Sequence, residues 1–281
     1  MKPDWLKINL GGGENYAKVG RIVREHKLHT ICSSGKCPNI GQCWNAGTAT
    51  FMILGDVCTR ACKFCATKTG KPLPPDPQEP QRVAESVHLM GLRYCVITSV
   101  DRDDLPDKGA AHWAQTIAAI RAKNPHTTIE VLIPDFDADT KLLDVVITAA
   151  PAVIGHNIET VERLTPQTRS RASYDKSLKV LRYLAQCGAT AKSGLMVGFG
   201  ETPQEVIGTM RDVRNAGVQL FTIGQYLQPT KQHLAVAEYV TPQQFCEYKK
   251  IGIEMGFRNV ESAPLVRSSY MAEQWTIHNG Q

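Results

Sequence analysis

The chain has 281 residues, of which 42% are hydrophobic and 21% are charged. This is an ordinary globular composition, and the length suits one α/β domain with a large core that needs no disulfide bonds for stability. The formal net charge of +5 is mildly basic, but no Lys/Arg run has the density of a nucleic-acid-binding tract, so we expect no nucleic acid partner. The sequence contains no run of about 18 apolar residues, so we expect no transmembrane helix and no membrane partner.

The first residues of the chain carry no visible targeting signal. Met1–Lys7 contains neither an apolar run nor an Arg-rich amphipathic pattern. We therefore expect a cytoplasmic protein. Disulfides are rare in such a reducing compartment, where closely spaced cysteines indicate metal binding.

The predicted elements fall into two regions that meet near residue 48. Residues 1–47 are polar and irregular, apart from a short helix predicted over Tyr16–Lys27. Beyond them, β-branched runs alternate with amphipathic stretches, which predicts strands that are each followed by a helix. The predicted strands are Thr48–Leu54, Tyr94–Thr98, Thr128–Ile133, Val153–Asn157, Thr190–Val197 and Leu220–Tyr226. The predicted helices cover residues 80–91, 108–123, 139–149, 173–187, 203–216 and 241–255.

Local signals mark several helix ends. Thr202 with Glu205 predicts a capping box, and Thr241 directly before a proline predicts a second N-cap. Gly188 and Gly217 stand where helix C-termini are expected.

Six β/α units in series predict an α/β fold with a parallel sheet, which we interpret as a partial (β/α)6 TIM-like barrel. A doubly wound sheet is the structural alternative. We predict a cysteine-rich N-terminal extension over residues 1–47, the barrel over residues 48–260 and a C-terminal segment over residues 261–281.

Six of the nine cysteines form two triads near the N-terminus. The triads are Cys32, Cys37 and Cys43, then Cys58, Cys62 and Cys65. Three closely spaced thiolates can hold three irons of a 4Fe–4S cluster and leave the fourth iron open for chemistry. A zinc ion with a fourth ligand from elsewhere is the alternative, although the second triad has no histidine in its loop.

The second triad has C-x3-C-x2-C spacing with Phe64 before its last cysteine, and it resembles the signature of the radical SAM superfamily. The resemblance implies that Cys58, Cys62 and Cys65 bind three irons of a 4Fe–4S cluster. S-adenosylmethionine (SAM) would chelate the fourth, and an electron from the cluster would cleave SAM to a 5′-deoxyadenosyl radical. The cofactors would carry this chemistry while the protein positions and shields it.

The first triad, with C-x4-C-x5-C spacing, and several further motifs resemble the lipoyl synthase family. The supporting stretches are Lys2–Lys7, Cys37–Gly41, Gly47–Thr50, Thr98–Leu105, His156–Thr160, Gln225–Thr230 and Val266–Tyr270. The paired triads together with the terminal Arg-Ser-Ser-Tyr motif are specific, whereas each other stretch alone would be a weak signal.

The resemblance implies an auxiliary 4Fe–4S cluster held by Cys32, Cys37, Cys43 and one serine hydroxyl. We assign this ligand and catalytic role to Ser268, with Ser269 as the alternative. The implied reaction inserts two sulfur atoms, donated by the auxiliary cluster, at C6 and C8 of an octanoyl chain on a carrier-protein lysine. The implied partners are octanoylated carrier domains, such as glycine cleavage H protein or a 2-oxoacid dehydrogenase E2, and a reducing electron-transfer protein.

The resemblance also implies SAM contacts at strand ends, the catalytic edge of barrel folds. The predicted SAM-binding residues are Thr98, Ser99, Asn157, Glu159, Lys192, Tyr226 and Gln228. Thr98 and Ser99 would bind the methionine amino group, and Tyr226 would lie beside the adenine.

Three other functions remain open from the sequence. One is a different sulfur-inserting radical SAM enzyme, similar to biotin synthase or a methylthiotransferase. The others are an electron carrier with two clusters, which would not cleave SAM, and a zinc-binding interaction module.

Overall fold

A computed structural model of the protein describes residues 2–8, 11–270 and 272–273. Residues 271 and 274–281 of the predicted C-terminal segment 261–281 lie outside this description. The predicted boundaries at residues 47 and 260 stay predictions.

The chain forms two compact units, which we call the first and second unit. The first unit contains residues 8 and 11–60, Thr67–Ala152 and the described residues 272–273. The second unit contains the described residues 2–7, Ala61–Ala66 and Val153–Tyr270.

The first unit begins with a helical region that carries the first cysteine triad. Its elements are α1 (Glu14–Glu25), β1 (His29–Thr30), α2 (Ile31–Ser34) and α3 (Ile40–Asn45). Helix α1 confirms the helix predicted over Tyr16–Lys27, although its bounds lie two residues earlier. Val19 and Val23, four positions apart on one face of α1, pack against the buried Trp44 of α3.

Three β/α units complete the first unit. Their elements are β2 (Thr50–Ile53), α4 (Glu79–Met90), β5 (Tyr94–Ser99), α5 (Ala110–Lys123), β6 (Thr128–Leu132) and α6 (Thr140–Thr148), with a small parallel pair, β3 (Val57–Cys58) and β4 (Lys68–Thr69), between β2 and α4. Strand β5 pairs in parallel with β2 on one side and β6 on the other. The unpredicted β1 pairs antiparallel with β2.

The second unit holds three more β/α units and a final strand. Its elements are β7 (Val153–Gly155), α7 (Thr165–Thr168), α8 (Tyr174–Gln186), β8 (Ala191–Val197), α9 (Pro203–Asn215), β9 (Leu220–Gln225), α10 (Pro242–Glu254) and β10 (Asn259–Ser262). All pairings from β7 to β10 are parallel. Strand β10 was not predicted, because only one of its four residues is strongly apolar. Short 3-10 helices cover Asp4–Leu6 and Glu162–Leu164 in this unit, and Phe136–Ala138 in the first unit.

The helix ends follow the predicted local chemistry. The Thr202 side chain accepts a hydrogen bond from the backbone N–H of Glu205, whose carboxylate accepts one from Thr202 N, so the capping box is confirmed. Thr241 caps α10 with its side-chain oxygen. Gly188 and Gly217 follow α8 and α9 with φ angles of 79° and 93°, a left-handed geometry that glycine adopts without strain. No helix in the described ranges is long and apolar enough to cross a bilayer.

The fold places loops at defined edges within each unit. Because parallel strands end on the same side of a sheet, the loops after β2, β5 and β6 share one edge of the first unit. The loops after β7, β8 and β9 share one edge of the second. Most of the predicted SAM residues lie at or close to those edges, whereas Lys192 is the second residue of β8 and lies near the start of that strand.

Candidate active site

The first cysteine triad lies in one packed cluster of the first unit. Cys32 is buried in α2, and the partly buried Cys37 and Cys43 pack against the same cluster as Cys32 and Trp44. The backbone N–H of Cys37 donates to the carbonyl of Cys32 at 3.0 Å, which closes the turn between these two cysteines. The structure therefore brings the three predicted ligands together.

The local sequence explains this turn. Thr30 precedes α2, and its side-chain oxygen accepts the backbone N–H of Ser33, which fixes the start of the helix. Cys32 then sits inside the short helix rather than in a mobile loop. Thr48 donates its hydroxyl to the carbonyl of Cys43 at 3.1 Å and fixes the end of the triad in the same way.

The thiols of this triad are electrostatically unusual. Burial raises the pKa of Cys32 to about 11 and that of Cys43 to about 12, and the neighbouring cysteines add to both shifts. A buried site that disfavours thiolates needs a cationic centre to stabilise them, and metal binding deprotonates its thiol ligands. Three thiols in an apolar pocket thus fit an iron–sulfur cluster.

The second triad begins in the first unit with Cys58, at the end of β3. The backbone N–H groups of Arg60 and Asp101 lie 3.4 and 3.3 Å from Cys58 Sγ. Such N–H donors favour the thiolate form and tune clusters bound through it. The Asp101 carboxylate lies 3.7 Å from the same sulfur.

Cys62 and Cys65 belong to Ala61–Ala66 in the second unit. Ser170 accepts the backbone N–H of Ala61 at 3.0 Å and lies 3.8 Å from Cys62 Sγ. The His233 Nε2 atom lies 2.9 Å from the carbonyl oxygen of Cys65. The sequence did not identify Ser170 or His233, because both are more than 100 positions from the triad and belong to no recognised spacing.

An aromatic group adjoins this loop within the second unit. Phe64 lies 6.4 Å from Phe199, which stacks on Tyr226 at a centroid distance of 4.3 Å. The Tyr226 hydroxyl donates to the carbonyl of Leu234, and burial raises the pKa of Tyr226 to about 12. Tyr226, a predicted SAM residue, is therefore buried within an aromatic group of which Phe199 is the partly exposed member.

Thr98 and Ser99, the predicted SAM residues of the first unit, have different environments at the end of β5. Thr98 donates its hydroxyl to the Leu132 carbonyl of β6 at 3.1 Å. The Ser99 hydroxyl oxygen is buried and has no hydrogen-bond partner within the described part of the chain. Because a buried polar atom without a partner is costly, Ser99 fits a ligand contact better than Thr98 does.

Three predicted SAM residues of the second unit lie on or beside β8. The Asn157 side chain covers Gly194, where an added Cβ would lie 2.9 Å from Asn157 Oδ1. Glu159 has a φ of 69° and pairs with Leu195 in an isolated bridge. Lys192 is only 2% exposed. A left-handed non-glycine residue and a fully buried lysine are both uncommon in proteins.

Gln228 has a different setting. Its side chain is exposed, and its Nε2 donates to the carbonyl of His233 at 2.8 Å. The structure thus gives Gln228 a role in holding the loop that supports Cys65.

The segment that precedes the predicted serine ligand Ser268 crosses over β9 of the second unit. Gln225 N donates to the carbonyl of Pro264 at 3.1 Å. The Val266 carbonyl passes directly over Gly224, so close that a Cβ at this position would collide with it. Ser268 follows and is partly exposed.

Comparison with known proteins decides the family. The family model for the radical SAM superfamily matches residues 52–213. The chain is 62% identical over 280 residues to a lipoyl synthase of Bacteroides fragilis, covering 100% of this chain and 97% of that protein. It is 57% identical over 274 residues to a mitochondrial lipoyl synthase of Nematostella vectensis, covering 97% of this chain and 94% of that protein. The chain belongs to the lipoyl synthase family.

Solved structures support the fold. Methylornithine synthase superimposes with a TM-score of 0.59 at 12% identity, covering 79% of this chain and 72% of that one. Streptococcus suis SuiB bound to S-adenosylmethionine superimposes with a TM-score of 0.60 at 11% identity, covering 90% of this chain and 56% of that one. At these identities the likeness concerns the fold alone.

These findings confirm the predicted α/β fold of the partial-barrel radical SAM type, the enzyme class and the two kinds of cofactor, 4Fe–4S clusters and SAM. They argue against the two alternatives of an electron carrier with two clusters and a zinc-binding interaction module. They also favour a lipoyl synthase over the other sulfur-inserting enzymes. The individual ligand and SAM-binding residues stay predictions.

Thiol reactivity tests the electrostatics of the first triad. In metal-free protein at pH 8, we expect Cys32 and Cys43 to be alkylated far more slowly than the exposed Cys187, because only about one buried thiol in a thousand or fewer is then a thiolate. Their rates should rise with pH toward 11. Peptide mass spectrometry measures each rate, and all nine cysteines should react alike in denaturant. Equal native rates at pH 8 would contradict the burial described here.

Gly224→Ala tests the crossing of the serine segment over β9. The added methyl group would push against the Val266 carbonyl, and we expect a loss of about 1–3 kcal/mol in unfolding free energy. Gly208→Ala, in α9 with open space around the new methyl group, is the matched control and should be neutral or stabilising by up to about 1 kcal/mol. Urea unfolding of the metal-free protein measures the unfolding free energy of both variants. Equal values for the two variants would contradict a close crossing of the Val266 carbonyl over Gly224.

Proposed function

We propose that this enzyme inserts two sulfur atoms at C6 and C8 of an octanoyl chain attached to a carrier-protein lysine, forming a lipoyl group. This is the reaction of the family to which the chain belongs. Unactivated C–H bonds are not acidic enough for a protein base, so the reaction requires radical chemistry. One SAM would be cleaved for each C–H bond that is broken.

One observation carries this proposal: the chain has a second cysteine triad with its own packing cluster. The radical SAM motif accounts for Cys58, Cys62 and Cys65. Cys32, Cys37 and Cys43 instead share a cluster with Trp44 in the first unit. Radical generation by itself does not require a second buried set of thiols, whereas sulfur insertion requires a sulfur source.

We assign the ligands by triad. Cys58, Cys62 and Cys65 would hold the radical cluster, and Cys32, Cys37, Cys43 and Ser268 the auxiliary cluster. When bound, the first supplies the electron for SAM cleavage and the second supplies sulfur. A serine oxygen is a harder ligand for iron than a thiolate and is more easily displaced, which suits a cluster that gives up its sulfur.

The proposed SAM contacts differ in their support. Ser99 has a buried hydroxyl that lacks a partner in the described residues, and Tyr226 belongs to an aromatic group beside the Cys62–Cys65 loop. The remaining assignments, Thr98, Asn157, Glu159, Lys192 and Gln228, rest on the family resemblance.

The family implies a lipoyl carrier protein as substrate. We propose glycine cleavage H protein or a 2-oxoacid dehydrogenase E2 in this role, with an electron-transfer protein as the reductant. The formal net charge of +5 would complement an acidic carrier domain. We also propose a cytoplasmic location, where reducing conditions keep the thiol ligands available.

An anaerobic assay tests the reaction. Reconstituted protein is incubated with dithionite, SAM and an octanoyl-lysine peptide, and mass spectrometry reads the products. We expect a gain of two sulfur atoms in the peptide, together with 5′-deoxyadenosine, about once per protein without cluster repair.

A Cys58→Ala variant serves as the control and should form neither product. SAM cleavage by the unaltered enzyme without sulfur insertion would leave the radical SAM assignment intact and overturn the substrate. An absence of both products, from protein shown to carry both clusters, would overturn the proposed reaction.

Serine variants test the auxiliary ligand. Ser268→Ala removes the proposed oxygen ligand, so we expect lower iron content and at least about a tenfold loss of sulfur insertion, which is the scale for disturbing a metal site. SAM cleavage should persist. Ser269→Ala is the matched control and should keep both activities. The reverse pattern would identify Ser269 as the ligand, and two normal variants would contradict a serine ligand.

A further inference from the structure

A buried arginine lies inside the radical SAM motif. Arg60 stands between Cys58 and Cys62, and its side chain is 4% exposed. Three carboxylates of the first unit surround its guanidinium: those of Asp101, Asp103 and Asp135, which are 25%, 9% and 0% exposed. Only Cys58, Cys62 and Cys65 of this motif have a role in the proposed function, so this cluster needs a separate explanation.

The contacts of Arg60 are two-pronged. Nε and Nη2 each donate to Asp103 at 2.8 Å, and Nη1 and Nη2 donate to Asp135 at 3.0 and 2.8 Å. Nη1 also lies 3.3 Å from Asp101 Oδ1. Planar bidentate pairs of this kind fix both position and orientation, and a lysine could not reproduce them.

The charges within this group do not cancel. One guanidinium and three carboxylates carry a formal charge of −2. Burial alone would lower the pKa of Arg60, but the hydrogen bonds that it donates to Asp103 and Asp135 and the nearby charge of Asp101 outweigh it, so the pKa is raised and the arginine stays charged. Removing one partner of such a buried set leaves an uncompensated charge and is costly.

The backbone around Asp135 supports the same conclusion. The next three residues, Phe136, Asp137 and Ala138, have φ angles of 43°, 55° and 58°. Three consecutive left-handed non-glycine residues are strained and persist only when their surroundings hold them. Asp135 Oδ1 accepts the backbone N–H of Asp137, which closes this turn around the Arg60 partner.

The cluster is joined directly to Cys58. The two N–H groups on Cys58 Sγ belong to Arg60 and Asp101, the same residues whose side chains pair at 3.3 Å. The ion pair therefore holds both donors on the sulfur. It also places a positive charge beside the carboxylate that lies 3.7 Å from the sulfur.

We propose that Arg60 is a positioning residue that sets the reduction potential of the radical cluster. Its guanidinium holds two backbone N–H donors on Cys58 Sγ and offsets the Asp101 charge next to that ligand. N–H donors to ligand sulfur and the net charge nearby both govern cluster potentials. The proposal rests on Cys58 as a cluster ligand and not on the octanoyl substrate.

Two variants should shift the potential in opposite directions. Arg60→Gln changes the formal charge of the group from −2 to −3 and loosens the donors, so we expect a more negative potential. Asp101→Asn changes the charge to −1 and keeps a side-chain oxygen that can accept from Arg60 Nη1, so the donors stay in place and we expect a more positive one. Arg60→Lys keeps the charge and should lie nearer the unaltered enzyme than Arg60→Gln does. Asp76→Asn, 52% exposed and paired with Arg82, is the control and should leave the potential unchanged.

The measurement is an anaerobic redox titration of the reconstituted holoenzyme, followed by electron paramagnetic resonance. The radical cluster is the species whose signal changes when SAM is added. Iron content and thermal unfolding of each variant are measured beside it. Sulfur insertion is not part of the readout, so failure of the proposed reaction would not affect this test.

Opposite shifts for Arg60→Gln and Asp101→Asn would support the proposal, because a merely structural loosening would not change sign with charge. Shifts in the same direction, or unchanged potentials with lowered stability, would overturn it. If Arg60→Gln does not fold, the two other variants decide. The role of Arg60 would be refuted if the potential of Asp101→Asn is not more positive than that of the unaltered enzyme. It would also be refuted if the potential of Arg60→Lys equals that of Asp101→Asn.

Discussion

The structure depends on the cost of placing thiolates in a protein interior. Burial raises the pKa of Cys32 and Cys43 strongly, so the first triad holds neutral thiols until a cationic centre compensates them. Cys58 meets the same problem with two backbone N–H donors at its sulfur. The two triads would thus stabilise their thiolates differently. The first lies in an apolar pocket and relies on the metal centre, whereas Cys58 of the second lies in a polar loop whose backbone N–H groups stabilise the sulfur charge.

That difference shapes the elements around each triad. Cys32 and Cys43 lie on short helices that pack through Val19, Val23 and Trp44, so apolar burial holds them. The loop with Cys62 and Cys65 is held by polar contacts to Ser170 and His233 within the second unit. A polar frame of this kind is directional, since each hydrogen bond fixes one atom of the loop. It therefore suits a site in which a cofactor must bind in one orientation.

The sequence predicted the parts of the fold that rest on short-range signals. Strands such as Tyr94–Ser99 are dense in apolar residues, and α9 carries its own capping box at Thr202, so both are visible locally. Strand β10 has a single strongly apolar residue and is stabilised by pairing with β9, which no local pattern reveals. The cysteine spacing likewise indicated the metal chemistry, but the Asp135 partner of Arg60 lies 75 positions away and has no sequence signal.

Two polar residues at the end of β5, Thr98 and Ser99, differ in whether their hydroxyl groups are used within the protein. Thr98 and Ser99 are adjacent and chemically similar, yet the Thr98 hydroxyl donates to the Leu132 carbonyl while the Ser99 hydroxyl is buried without a partner in the described residues. An unpaired buried hydroxyl costs about 1–3 kcal/mol. A molecule bound at this edge of the sheet would recover that cost by completing the hydrogen bond. The alternation of side chains along β5 sends Thr98 and Ser99 to opposite faces, so only one of them can meet a ligand on a given face, and the unpaired hydroxyl supports our proposal that this residue is Ser99.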